Sequence, residues 1–258
     1  MQLMLDGKTL DGVAIERLKA FEPPEGYYLA FSGGKDSICI YDLAVRAKVK
    51  FDAHYNVTGI DPPELVKFIK VNYPTVIRDM PEMSICRWIE KKGLPTRVNR
   101  WCCEKLKERG GHGRRVVTGI RWAESNKRAK RQLTEACYKD KVKVYVNPII
   151  DWQDIDVWQY IKERNLEYCC LYNEGFKRIG CVMCLMAGMR KEEGERYPKI
   201  RDAWRRSAFR YFEGYGISNH IKPDSKSNPF KDKEQYWNWW LSGVSIDNYL
   251  ESQEVAFE

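Results

Sequence analysis

Apolar and polar positions alternate along this chain in two rhythms. Tyr27-Tyr28-Leu29-Ala30-Phe31 is a short apolar run of the kind that forms a buried strand, and Phe51 to Val57 reads as a second strand. Between them Ile38, Tyr41 and Val45 fall on one face of a predicted helix over 36–48. Pro62-Pro63-Glu64 opens another helix, because proline suits the first turn, and Leu65, Val66, Phe68 and Ile69 follow at helical spacing. A helix is predicted from Glu82 to Lys92, ending near Gly93. Arg115 to Ile120 is β-rich, and a helix is expected over Glu124 to Arg131. Val142 to Val146 reads as a strand and Asp154 to Arg164 as a helix. Strands alternating with helices predict an α/β fold, a doubly wound and mostly parallel sheet with helices on both faces. From about Tyr172 the strand signal fades, and Arg201 to Tyr215 is the clearest helix of the remainder. The segment 222–229 looks like an exposed loop. The division implied is an α/β domain over 1–190 and a helical C-terminal extension over 191–258.

A chain of 258 residues, 43% hydrophobic and 31% charged, can bury a sizeable core and is not expected to be disordered. No run of eighteen apolar residues is present, and the first residues lack the pattern of a signal peptide, so a cytoplasmic protein is expected. The net charge of +8 is unevenly spread: residues 97–131 carry 12 basic and 3 acidic side chains, residues 176–210 carry 10 and 4. Two basic stretches in an otherwise acidic chain point to an anionic ligand if they fold together, or to two solvated helix faces if they do not.

The sharpest local signal is Ser32-Gly33-Gly34-Lys35-Asp36-Ser37, placed between the first strand and the first helix. Paired glycines let the backbone turn tightly and aim N–H groups at an anion, and the helix adds its positive end. Ser32 and Ser37 add hydroxyls and Lys35 a point charge. The Walker A spacing is absent. An ordinary capped connection is the alternative, but six such residues in this context favour phosphate. The hexapeptide resembles the PP-loop of the ATP pyrophosphatase superfamily, whose adenine nucleotide alpha-hydrolase-like fold and cleavage of ATP between its α and β phosphates are what the resemblance implies.

Further segments narrow the branch. Thr58-Gly59 with Pro63-Glu64 and Phe68, Gly119-Ile120-Arg121 with Glu124-Ser125 and Arg128, Pro148 to Trp152 with Asp156-Val157-Trp158, and Leu171-Tyr172 with Gly175-Phe176, Arg178 and Gly180-Cys181 all resemble segments of phosphoadenosine-phosphosulfate (PAPS) reductase-like proteins. The resemblance runs over roughly residues 27–184 and implies that Thr58, Gly59, Arg121 and Arg128 join the loop in holding a nucleotide. Arg121 and Arg128 are seven apart and would share a face of a helix, where guanidinium forks suit phosphate or sulfate. The alternative is a local Glu124–Arg128 pair at i, i+4.

Nine cysteines are many for a reducing compartment and point to metal or redox chemistry rather than disulfides. Cys181-Val182-Met183-Cys184 alone fits zinc, redox chemistry or burial. Joined to Cys102-Cys103, the arrangement resembles the 4Fe–4S site of assimilatory adenylylsulfate reductases, which assigns Cys102, Cys103, Cys181 and Cys184 as the cluster ligands. Lys107 then matches a family lysine beside the cluster, and Lys35, Asp36 and Lys107 become the candidate catalytic residues. A zinc site or inert thiols are the alternatives. Cys39 and Cys86 read as core residues, while Cys169-Cys170 stands without an assignment.

The reductases of this family use a cysteine in a C-terminal tail, and no cysteine follows Cys184 here. The resemblance therefore orders the functions as follows. First is ATP-dependent sulfur transfer to an adenylylated nucleic-acid acceptor, with Mg2+ on the pyrophosphate and a possible sulfur-donor protein as partner. Second is adenylylsulfate or PAPS reduction releasing sulfite. A non-catalytic, nucleotide-responsive nucleic-acid-binding module is third. Tyr236-Trp237-Asn238-Trp239-Trp240 offers rings for stacking bases, but its helical spacing favours core.

Overall fold

Six short strands form one sheet: β1 (Tyr27–Ala30), β2 (Phe51–Asn56), β3 (Ile77–Asp79), β4 (Arg115–Val117), β5 (Thr134–Ala136) and β6 (Val144–Val146). The computed structural model describes residues 7–138, 140–215 and 229–254. The strand order is β3-β2-β1-β4-β6-β5, parallel throughout except for the antiparallel β5–β6 pair. Successive crossovers run outward from β1 through β2 to β3, then the chain returns to the other side of β1 as β4. The strand order thus reverses between β1 and β4, the place where open α/β sheets bind ligands.

Helices α1 (Leu10–Ala20), α2 (Lys35–Ala47), α3 (Pro63–Asn72) and α5 (Asp154–Glu163) belong with this sheet in a first compact unit, made of Met1–Val57, Pro63–Met80 and Arg109–Gly180. Alternation along the strands sends Tyr27, Leu29, Ala53, Tyr55, Val117 and Val146 into one core, where they meet Ala14 and Leu18, Ile38 and Leu43, Leu65 and Ile69, and Val157 and Tyr160. The opposite register of β1 and β2 carries polar groups. Tyr28 and His54 stack at 4.1 Å, and His54 lies between the Asp52 and Asp79 carboxylates.

A second unit takes Thr58–Pro62, Pro81–Glu108 and Cys181–Glu258. Its helices are α4 (Ile85–Lys92), α6 (Arg190–Arg196), α7 (Pro198–Arg210), α8 (Lys233–Ser242) and α9 (Ile246–Glu254). Their core is aromatic: Trp204 and Trp240 stack at 4.9 Å, Trp237 and Trp240 at 5.4 Å, and the Trp240 indole donates to the Pro95 carbonyl.

Two expectations are corrected. The two units are interleaved along the chain instead of dividing once near residue 190. Residues 124–131 form no α-helix: two 3-10 turns, Trp122–Glu124 and Arg128–Lys130, stand there, separated by Ser125, Asn126 and Lys127. The core reading of the tryptophan segment holds: Trp237, Trp239 and Trp240 are buried in the second unit. The exposed loop expected over 222–229 lies outside the described residues save for Pro229. All nine cysteines are free thiols. Among the described residues no helix is long and apolar enough to cross a membrane.

Candidate functional site

The turn after β1 is built by its two glycines in different ways. Gly33 has φ +71, where an L side chain is strained, and a Cβ there would lie 2.7 Å from Ile69. Gly34 is the extended N-cap of α2, so Lys35 is the first helical residue. Hydroxyls close the turn: Ser37 Oγ donates to the Gly34 carbonyl at 2.8 Å, and Ser32 Oγ to Ser37 Oγ at 3.2 Å. The Lys35 N–H donates to the Tyr172 hydroxyl at 2.9 Å. That tyrosine is carried by the 3-10 turn Cys170–Tyr172, and its phenol is held neutral by burial.

Two cations stand behind the turn, and both are nearly sealed from solvent. The Lys35 side chain is 7% exposed and that of Arg121 is 3% exposed. Arg121 Nε donates to Asp36 at 2.6 Å, Nη2 to Asp154 at 3.0 Å and Nη1 to the Trp152 carbonyl at 3.3 Å. Lys35 Nζ lies 3.1 Å from the same Asp154 oxygen and 3.6 Å from Asp36. Burial disfavours the Arg121 charge, but Asp36, Glu124 and Asp154 more than restore it. A Cβ on Gly119 would lie 2.9 Å from Asp36, so only glycine lets the segment after β4 come this close to the loop. Strand ends β1 and β4 at the reversal of strand order thus bring together Ser32, Gly33, Gly34, Lys35, Asp36, Ser37 and Arg121. A buried cation pair behind a glycine turn and a helix start is chemistry for an anion with several oxygens.

Arg128 does not join the pair. Its guanidinium donates to Glu124 at 2.8 Å, the i, i+4 alternative, and the same carboxylate accepts the Arg121 N–H at 2.9 Å. Thr58 and Gly59 belong to the second unit. The Thr58 hydroxyl donates to Asp61 at 2.7 Å and also reaches the Cys181 thiol, so it serves the cysteine region.

In that unit four thiols share one electrostatic neighbourhood: Cys102 is hydrogen-bonded to Cys103 and feels the charges of Cys181 and Cys184. The Cys102 bond, with Lys107 and Arg100, outweighs burial and brings the Cys103 thiol down to about 6. The same bond, burial and the neighbouring Cys103, Cys181 and Cys184 push Cys102 up. Burial pushes Cys181 up to about 11 despite Lys107. Packing around Lys107 disfavours its charge, an effect that Cys181 and Asp61 more than offset, although the residue itself is exposed. The Cys181–Cys184 loop takes a left-handed turn at Met183, φ +60, and its Met183 N–H donates to the half-buried Glu193 carboxylate.

Among the described residues no three or more His, Cys, Asp or Glu side chains are arranged to hold a metal ion. The donor set still fits an iron–sulfur cubane, which needs four thiolates and carries net negative charge. Lys107 and Arg100 supply the matching positive surroundings. For Mg2+ the fit is poorer on the protein side, because Asp36 and Asp154 are already engaged by Lys35 and Arg121. Cys39 is fully buried and Cys86 half-buried; Cys169 is buried and Cys170 exposed. Sequence reasoning missed Tyr172, Asp154 and Glu193 as site residues. Tyr172 was visible inside a family segment, whereas nothing in the sequence marked the other two.

Residues 26–187 match the phosphoadenosine phosphosulfate reductase domain family. An uncharacterized protein of Methanocaldococcus jannaschii, MJ0973, is 32% identical over 188 residues, which is 68% of this chain and 46% of that protein. A second uncharacterized protein of that organism, MJ0066, is 30% identical over 73% of this chain and 42% of its own length. The chain thus spans less than half the length of these two relatives. An adenosine 5'-phosphosulfate reductase of Oceanobacillus iheyensis is 28% identical over 60% of this chain and 69% of its own. Among solved structures, phosphoadenylyl-sulfate reductase of Candida auris in a phosphate complex superposes with a TM-score of 0.51 at 20% identity, covering 70% of this chain and 97% of that one.

Proposed function

Since this chain belongs to the phosphoadenosine phosphosulfate reductase domain family, we propose that it is an enzyme that binds ATP, or a related sulfonucleotide, on the loop Ser32–Ser37 and transfers sulfur to an adenylylated acceptor. The observation that carries the nucleotide half is the sealed cation pair Lys35 and Arg121 behind the Gly33–Gly34 turn. Phosphate oxygens entering there meet an ammonium and a planar fork already held in place by Asp36 and the Trp152 carbonyl. Lys35 and Arg121 stabilise the charge that grows on the pyrophosphate as the acceptor oxygen attacks the α-phosphorus and the bond to the β-phosphate breaks. Mg2+, where used, arrives on the phosphates.

Cys102, Cys103, Cys181 and Cys184 would hold a 4Fe–4S cluster, with Lys107 keeping its surroundings positive. When bound, the cluster supplies a sulfur-ligated, redox-capable iron centre. The net charge of +8 supports a polyanionic acceptor such as nucleic acid, and a sulfur-donor protein completes the reading.

Reduction of adenylylsulfate or PAPS to sulfite is the second reading, favoured by relatives named adenosine 5'-phosphosulfate reductase. Anaerobically purified protein separates the two. With ATP and an oligonucleotide acceptor the first gives pyrophosphate and thiolated product; with sulfonucleotide and a thiol reductant the second gives sulfite. Lys35→Ala is expected to weaken ATP binding at least tenfold, the loss of one charged hydrogen bond (about 1.5–3 kcal/mol). Sulfite formation without pyrophosphate release would reverse the order of the readings.

A further inference from the structure

Asp154 stands at the first position of α5 but does not cap it. The cap is Gln153, whose N–H donates to the Asp156 carboxylate at 2.7 Å. The Asp154 side chain is 65% exposed, although both cations it touches are almost sealed. One oxygen takes both contacts, 3.1 Å from Lys35 Nζ and 3.0 Å from Arg121 Nη2. Asp36, the other carboxylate of the group, sits in the loop itself and is held by Arg121 Nε. The group is therefore neutral with no ligand: two cations, one carboxylate built into the loop, and one reaching in from the solvent side.

An oxygen anion bridging an ammonium and a guanidinium occupies the place a phosphate oxygen would take. We infer that Asp154 is a built-in stand-in for a ligand phosphate oxygen, neutralising Lys35 and Arg121 until an oligophosphate displaces it towards solvent. This rests on the phosphate-binding reading above and deepens it, by naming the residue that sets affinity and the ligand class it selects. A multiply charged phosphate chain outcompetes one carboxylate, whereas a singly charged anion gains little by the exchange. Asp154 lowers affinity in exchange for a folded, neutral site.

The test is calorimetric titration of pyrophosphate and of ATP into wild type, Asp154→Asn, Asp154→Ser and Lys35→Ala, in EDTA and again in Mg2+. The carboxylate is exposed and lies outside the cap, and the serine variant stands in if the asparagine variant misfolds. Two ionic contacts whose carboxylate is largely exposed are removed as a barrier to ligand entry, so the Asp154 variants are expected to bind pyrophosphate roughly three- to tenfold more tightly, with or without Mg2+. Equal or weaker binding by folded Asp154 variants, while Lys35→Ala loses affinity, would overturn this inference and leave the phosphate loop standing. Weaker binding confined to Mg2+ would make Asp154 a cation ligand, which also overturns it. Wild type and Lys35→Ala binding alike would remove the phosphate reading and this inference with it.

Discussion

Alanine at Gly33 and alanine at Gly34 make adjacent, chemically identical changes with opposite expectations. At Gly33 the backbone has φ +71, and a new Cβ would lie 2.7 Å and 2.8 Å from Ile69 carbons and 2.8 Å from Leu65 Cδ1. Those neighbours are 1% and 2% exposed and packed in the core beneath the sheet, so they have little room to retreat. The left-handed conformation costs an alanine about 1–2 kcal/mol. Overfilling a close-packed core adds roughly 1–3 kcal/mol. Together these give about 2–5 kcal/mol, a fall of about 4–20 °C in melting temperature for a body of this size. At Gly34 the backbone is extended, φ −79, and the nearest atoms are Ser32 Oγ and Tyr172 Oη at 3.4 Å, an ordinary contact. Its alanine is expected within about 0.5 kcal/mol of wild type, or slightly more stable through the unfolded chain. Thermal melts followed by circular dichroism, with ATP titrations in parallel, measure both. Equal destabilisation by the two variants, or a Gly33→Ala melt matching wild type, would refute the assignment of the sharp turn to Gly33.

Three further outcomes follow from the same coordinates. Arg114 holds the Asp52 carboxyl below its ordinary range, outweighing burial, with His54 assisting; the unfolded chain therefore binds the extra proton, and the stability this gives is present above the ordinary aspartate value and lost as pH falls through the lowered one. Urea midpoints measured from pH 6 to about pH 3 should thus fall less steeply for Asp52→Asn than for wild type. Trp240→Ala removes a 2%-exposed ring stacked on Trp204 and Trp237 and should cost about 3–5 kcal/mol, read as loss of the near-ultraviolet dichroism of the second unit. Cys102→Ser and Cys181→Ser, purified without oxygen, should lose iron and visible absorption together, while Cys86→Ser and Cys137→Ser keep both; equal iron in all four would remove the cluster assignment.

The strand–turn–helix unit was legible because three local signals agree there: an apolar run, paired glycines and an amphipathic helix. Strand β3 was not, since Ile77 and Arg78 are both exposed and leave no alternation to read. Helix α1 buries only Ala14 and Leu18, too narrow a stripe to announce itself. The helix expected over 124–131 failed for a different reason. Its charged residues suit a helix, but Glu124 bonds the Arg121 N–H and the Ser125 carbonyl accepts the Arg128 N–H, closing two tight turns instead. The second unit could not be delimited from sequence. Its core joins Ile89 and Leu94 to Trp204 and Trp240, and only folding brings such distant apolar segments together. At the site, residue types were readable and pairings were not. Arg121 was singled out from sequence and lies against Asp36 of the loop, whereas Asp154 lies in a helix entry where an aspartate has an adequate local explanation as a favourable first-turn charge.

That local explanation is incomplete, and the reason bears on both sites. A cation sealed from water and left without an anion costs several kcal/mol. A chain that folds before its anionic ligand arrives must therefore carry the counter-charge itself. In the first unit Lys35 and Arg121 are matched by Asp36 and Asp154. In the second, Lys107 is open to solvent, and Cys181 and Asp61 beside it favour its charge. The two solutions differ in how readily the partner is released. Asp61 accepts a 2.7 Å bond from buried Thr58 and is itself only 8% exposed, so it is part of the fold. Asp154 is mostly in solvent and makes no cap, so leaving Lys35 costs it little beyond those contacts. The loop is thus built for a ligand that comes and goes, and the thiol region for a partner that stays. Adding ATP should accordingly protect the loop segment 32–37 from hydrogen exchange in a concentration-dependent way. Protection of 102–107 should instead follow iron content and not ATP. ATP-dependent protection of 102–107 in iron-free protein would contradict this division.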